Sequence, residues 1–220
     1  MCGRFYLDVK KDKLKAHYKL KQVPDLVAHY NIAPSQDIAA IRQGEDEREL
    51  VMLHWGLIPS WAKEDKTHYS MINARAESVA DKPAYRSAFR HRRCLIPVSG
   101  FYEWAEAGKQ KQPYVIRMKD AEVFSLAGLW EHWEGEGGKV TESCTIIVTD
   151  ANKTLRSIHD RMPVIIQEPD YQKWLDPANE QPLDFQSMLV PYCRDNLYTY
   201  PVSTRVNSPK NDDPACITAV

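Results

Sequence analysis

The pattern of apolar and turn-forming residues predicts an α+β fold: a single domain, residues 1–220, with a curved, mostly antiparallel β-sheet core and short peripheral helices. Three observations carry this expectation. Extended segments outnumber helical ones and do not alternate with them regularly, which argues against a doubly wound parallel sheet. The breaks between successive strands are tight, as hairpin-connected neighbours require. No repeat at a fixed period and no low-complexity linker divides the chain.

Asp8 to Leu20 is rich in lysine with Leu14 and Tyr18 on its apolar side, and predicts a surface helix that Pro24 ends. Asn31-Ile-Ala-Pro34 is extended, because a residue before proline is pushed out of the helical region. Asp37 to Arg42 and Arg48 to Leu57 read as strands joined by the acidic turn Gly44-Glu45-Asp46-Glu47. Gly56 to Lys63 is a loop with a tryptophan at its tip, and Met71 to Ala76 is brief and extended. Lys82 to Arg92 has helical spacing, with Pro83 at a first-turn position. Strands follow at Cys94–Val98, Phe101–Ala105, Pro113–Met118 and Val123–Trp130. A loop tip at Gly135–Gly138 precedes a strongly apolar strand from Ser143 to Thr149. Asn152 to Ile158 fits a short helix, Met162 to Ile166 a strand, Pro169 to Leu175 a short helix, and Tyr198 to Val202 a last strand before a polar tail over about 204–220.

Composition narrows the function classes. Hydrophobic residues make up 43% of the chain, with six Trp and eleven Tyr, which suits a folded core. No apolar run approaches the roughly 20 residues of a membrane span. The lysines from Lys10 to Lys21 interrupt any signal-peptide core, so the expected location is the cytoplasm of a bacterium or of a phage host. Cys2, Cys94, Cys144, Cys193 and Cys216 form no C-x-x-C pair and no zinc spacing, and read as free thiols in a reducing compartment. The net charge of −1 hides segregation. Residues 1–30 carry seven Lys/Arg against three Asp/Glu, residues 61–100 carry eight against four, and residues 141–220 carry seven against eleven. Such blocks suit a basic face for an anionic partner, or a solvated surface.

Four residues stand out chemically. Cys2 follows an initiator methionine that is removable because the next residue is small. Removal of Met1 leaves a thiol and an α-amine on one residue, with reference pKa values of roughly 8.5 and 8. That pair can condense with an aldehyde and close a thiazolidine, or act as an N-terminal nucleophile with its own base. A guanidinium at Arg4 is expected to lower the thiol pKa. Alternatively, Cys2 is a small residue at a frayed terminus. Asn73, in Ile72-Asn73-Ala74-Arg75, can hold a carbonyl oxygen or a sugar hydroxyl, or close a turn. Glu103, among Phe101, Tyr102 and Trp104, is either desolvated into the range of a general acid–base or points to water from an edge strand. His159 suits proton transfer near neutrality or a helix C-terminus. No second histidine stands at a metal-ligand spacing, so no metal and no organic cofactor is expected.

Taken in order, Cys2-Gly3-Arg4, Asn73-Ala74-Arg75, Gly100-Phe101-Tyr102-Glu103-Trp104 and Ile158-His159-Asp160-Arg161-Met162-Pro163 resemble the SRAP-domain family, the abasic-site processing proteins also named for an SOS-response-associated peptidase. Tyr30 to Pro34, His54 to Pro59, Lys111 to Pro113 and Val202 to Asn207 extend the resemblance over nearly the whole chain. It implies a DNA-repair protein whose partner is single-stranded DNA bearing abasic sites; nothing in the sequence asks for a partner subunit, so a monomer is expected. Cys2 would link to the ring-opened aldehyde as a thiazolidine, with Asn73 steadying the sugar, Glu103 shuttling protons and His159 bonding the opened sugar. Strand cleavage by β-elimination and self-processing of Met1 would be side activities. The DNA contacts implied are Arg4, Pro34, Trp61, Arg75, Trp104, Thr149 and Arg161. Where some relatives carry a further phosphate-binding arginine this chain reads Ala80-Asp81-Lys82-Pro83, which leaves Arg86 as its substitute. Trp61 stands alone where some relatives have a tryptophan pair. The competing readings are an N-terminal-nucleophile hydrolase such as an amidotransferase, a cysteine peptidase pairing Cys2 with His159, and a non-enzymatic single-strand binder.

Overall fold

A computed structural model describes residues 2–64, 71–108 and 110–220. Met1, whose removal the sequence reading requires, lies outside the described residues. In chain order the elements are β1 (Phe5–Leu7), α1 (Lys11–Tyr18), β2 (His29–Ile32), β3 (Asp37–Gln43), β4 (Arg48–Trp55), β5 (Asn73–Arg75), α2 (Arg86–His91), β6 (Arg93–Val98), β7 (Gly100–Ala107), β8 (Gln110–Met118), β9 (Phe124–Glu134), β10 (Val140–Asp150), β11 (Arg161–Pro163), β12 (Ile165–Ile166), α3 (Tyr171–Leu175), α4 (Pro182–Gln186) and β13 (Leu197–Pro201).

The strands form two sheets, and the α+β expectation holds. In the larger sheet, pairing runs from β10 through β4, β3, β6 and β9 and returns to β10, so these strands close on themselves. Closure leaves these strands no unpaired edge along the circuit. The run from Ser143 to Val148 is buried on both faces of β10, which is why it reads as an unbroken apolar stretch rather than an alternating one. Most pairings are antiparallel, but β10 runs parallel to both β4 and β5. The far half of β10 is flanked by β5 on one side and β11 on the other. The smaller sheet, ordered β13-β8-β7-β1-β2, is antiparallel throughout. Gly100 is required where β7 crosses β1: a Cβ there would stand 2.5 Å from the Tyr6 ring and 2.7 Å from the Ile116 carbonyl.

Several elements differ from expectation. Helix α1 starts at Lys11 and stops at Lys19, whose left-handed backbone (φ 57°) ends it. Helix α2 begins only at Arg86, after a turn in which Lys82 O accepts from the amides of Tyr85 and Arg86. Residues 152–158, expected as a helix, form consecutive turns instead. There the Asn152 side chain accepts from the Leu155 amide (3.0 Å) and donates to the Tyr192 carbonyl (2.7 Å), and the backbone bonds Arg156 N to Asn152 O and His159 N to Leu155 O close single turns that do not run on into a helix. Strand β1 and helix α4 have no counterpart in the sequence reading. The polar tail is folded: 3-10 turns at Thr204–Asn207 and Pro214–Ile217 bury Val206 and Cys216 against Tyr6, Tyr102 and Val115. Among the described residues no helix is long and apolar enough to cross a membrane.

Candidate active site

The N-terminal segment reaches the site by extending β1. Phe5 pairs with Phe101 and Tyr6 with Gly100, and the Tyr102 amide donates to the Arg4 carbonyl at 2.9 Å. Gly3 and Cys2 precede the paired strand, and the Glu103 charge acts on the Cys2 thiol. Cys2 is fully buried. From the other side, β5 enters parallel to β10, with Asn73 opposite Ile146. The Asn73 Nδ2 donates to the Cys2 carbonyl at 2.9 Å. Cys2 therefore lies in the core three residues before β1 and is tied to β5 by the Asn73 amide side chain. The Asn73 Oδ1 is buried and accepts no hydrogen bond among the described residues, which leaves a directed acceptor beside Cys2.

Alternation along β7 explains Glu103. Tyr102 and Trp104 belong to the face covered by Val206 and Cys216, whereas Phe101 and Glu103 face the interior between the sheets. Glu103 is 2% exposed, so it does not point to water. Burial raises its carboxyl from the ordinary 4.5 to about 7. The Cys2 thiol is also pushed up, far above the usual thiol range, first by burial and then by the Glu103 charge. This corrects the expectation that Arg4 would lower it. The Arg4 guanidinium is engaged elsewhere: its Nη1 donates to Asn31 Oδ1 and to the Val206 carbonyl, each at 2.7 Å, and it packs against the Trp104 ring.

His159 follows the turns after β10 and is half-buried. Burial lowers its pKa, which favours the neutral ring. The Arg161 amide donates to its Nδ1 at 3.0 Å, so in the neutral ring the proton is assigned to Nε2. The Asp160 carboxylate stands 2.8 Å from the same Nδ1 and can accept from it only when that nitrogen carries a proton. The Asp160 charge also acts to raise the Glu103 pKa, though less than burial does. Cys2 and Asn73, far apart in sequence, are joined by a hydrogen bond, and the Glu103 charge acts on the Cys2 thiol. No group of three His, Cys, Asp or Glu among the described residues is placed to hold a metal ion.

The residues expected at DNA divide into three groups. Trp61 (65% exposed), Arg75 and Arg86 are open to solvent. Pro34 is half-buried and Thr149 is buried in β10. Trp104 donates to Asn207 Oδ1 at 2.7 Å, and Arg161 is ion-paired to Glu77 and, at 3.4 Å, to Asp150. Arg4, Trp104 and Arg161 therefore already serve the protein's own contacts. Sequence reasoning missed Asn31, which anchors Arg4. Its one signal was the Tyr30–Pro34 segment, read as extended backbone and as part of the family resemblance, with no role given to Asn31 itself.

Comparison with known proteins places this geometry in context. The family model described as SOS response associated peptidase (SRAP) matches residues 1–209. The abasic site processing protein YoqW of Bacillus subtilis (strain 168) is 43% identical over 221 residues, covering 99% of this chain and 99% of that protein. YoaM of the same organism, also called an abasic site processing protein, is 44% identical over 216 residues, covering 96% and 95%. Among solved structures, a protein from Bacteroides thetaiotaomicron superposes with a TM-score of 0.90 at 27% identity over 100% of both chains.

Proposed function

The chain belongs to the SRAP family, and on that premise we propose that it processes abasic sites in DNA by linking Cys2 covalently to the ring-opened sugar. The observation that carries this reading is a buried Cys2 held by Asn73 beside a buried carboxyl that titrates near 7. After Met1 is removed, the Cys2 α-amine adds to the aldehyde carbon and water leaves, giving an imine. The thiol then adds to the imine carbon as its proton passes to the imine nitrogen, closing the five-membered thiazolidine. Because burial and Glu103 disfavour a thiolate, sulfur must lose its proton as it attacks. A carboxyl poised near 7 can take and return that proton. The Asn73 Oδ1 is available for a sugar hydroxyl, and neutral His159 can donate from Nε2. The same imine permits β-elimination, so strand cleavage is a side activity of the same residues. A thiolate peptidase acting on other chains is disfavoured, since the environment of Cys2 opposes the thiolate such chemistry needs. The proposed setting is single-stranded DNA in the cytoplasm, bound by a monomer, with the peptidase role confined to exposing the Cys2 amine.

The test is incubation with single-stranded DNA bearing one abasic site, followed by denaturing electrophoresis. Wild type should give a denaturation-resistant adduct, while Cys2→Ala and an N-terminally extended protein should give none. An equally strong adduct from Cys2→Ala would sink the thiazolidine mechanism.

A further inference from the structure

The loop 56–64 between β4 and β5 is pinned at alternate residues by side chains of β9 and β10. The Ile58 amide donates to Ser143 Oγ at 2.8 Å. The Ser60 amide donates to Glu131 Oε2 at 3.3 Å. The Trp133 Nε1 donates to the Ala62 carbonyl at 2.7 Å. Glu131 and Trp133 lie two residues apart on one face of β9, and Ser143 pairs directly with Glu131. A further bond from the Ala62 amide to the Pro59 carbonyl (2.9 Å) closes a turn beneath Trp61. At its base the Leu57 amide donates to the Met71 carbonyl at 3.2 Å, two residues before Asn73. Among the described residues the charged anchor is Glu131, which is 3% exposed and ion-paired to Arg92 Nε. A carboxylate is costly to bury, so its use to hold one amide of a surface loop asks for a reason. The outcome of the arrangement is that a large aromatic ring, Trp61, stands in solvent on a fixed backbone.

We propose that Glu131 is a positioning residue that presets the Trp61 ring to stack on a base of the bound strand. The loop then binds without first being ordered, which strengthens stacking by removing an entropic cost. This rests on the single-strand reading above. The experiment is a double-mutant cycle on the full chain, measured by fluorescence anisotropy with an unmodified single-stranded oligonucleotide. Trp61→Ala should weaken binding about tenfold, the scale of one base–aromatic stack. Glu131→Gln should weaken it about threefold in the wild-type background and leave it unchanged in the Trp61→Ala background. An equal loss in both backgrounds, or none in either, would overturn the positioning role. Should Glu131→Gln fail to fold, Ser143→Ala removes the Ile58 anchor without orphaning a charge, and the same two-background comparison decides. If the wild type itself does not bind the oligonucleotide, the single-strand reading falls and takes this inference with it.

Discussion

Burying the Glu103 carboxyl has a free-energy cost that its titration reports. Between its ordinary value of 4.5 and about 7, the folded chain holds a proton that the unfolded chain has released. Stability therefore falls as pH rises through that window, and above it the full penalty, about 3 kcal/mol, applies. Glu103→Gln should be more stable than wild type at pH 8 by about 1–3 kcal/mol in urea unfolding, with no fall in stability between pH 5 and 7, and its adduct formation should be slower. A variant that keeps the same fall in stability would show that another group titrates there. The desolvation of Glu103 was legible in its aromatic neighbours Phe101, Tyr102 and Trp104. The thiol was not. Arg4 is close to Cys2 in sequence, but its guanidinium is held by Asn31 and Val206, and adjacency along a chain does not say where a long side chain points.

At the scale of elements, β2 and the C-terminal segment form one unit. Asn31 Nδ2 donates to the carbonyls of Val206, Ser208 and Asn211 at 3.2, 3.0 and 2.6 Å. Asp212 accepts from the Tyr30 and Asn31 amides and stands 2.6 Å from His29 Nδ1. Asn31→Ala would leave buried carbonyls without donors and should cost about 2–4 kcal/mol. Deleting residues 203–220 should cost more, because Tyr6, Tyr102 and Val115 lose their cover. A truncated chain with an unchanged urea midpoint would contradict both expectations. The segment read as a polar tail because it carries few apolar residues of its own. Its backbone bonds are satisfied by a side chain 175 to 180 residues away in sequence, which no local pattern reveals. The long strands were legible where burial is continuous, as from Ser143 to Thr149. Strand β1 was not, since three residues give too short a pattern to show a period.

At the scale of the whole molecule, closure around β10 does what the order of motifs could not foretell. With β5 and β11 on either flank of its far half, it brings Asn73 and Arg75 to one side and the His159–Arg161 stretch to the other, while β7 supplies Glu103 from the second sheet. The basic blocks of the sequence do not translate into equal numbers of available cations. Arg4 serves Asn31 and Val206, and Arg161 serves Glu77 and Asp150, whereas Arg75 and Arg86 are exposed. Each phosphate contact on a single strand adds about 0.7 to the slope of log K against log salt. Arg75→Ala and Arg86→Ala should therefore each flatten the slope for single-stranded DNA by about 0.7. Arg161→Ala should flatten it less, because that guanidinium reaches a phosphate only by leaving two carboxylates. Anisotropy titrations across a range of salt concentrations measure all three slopes. Equal flattening by Arg161→Ala and Arg75→Ala would mean that the Glu77 and Asp150 pairs open when DNA binds, making the flank of β10 a surface that rearranges on binding rather than one formed in advance.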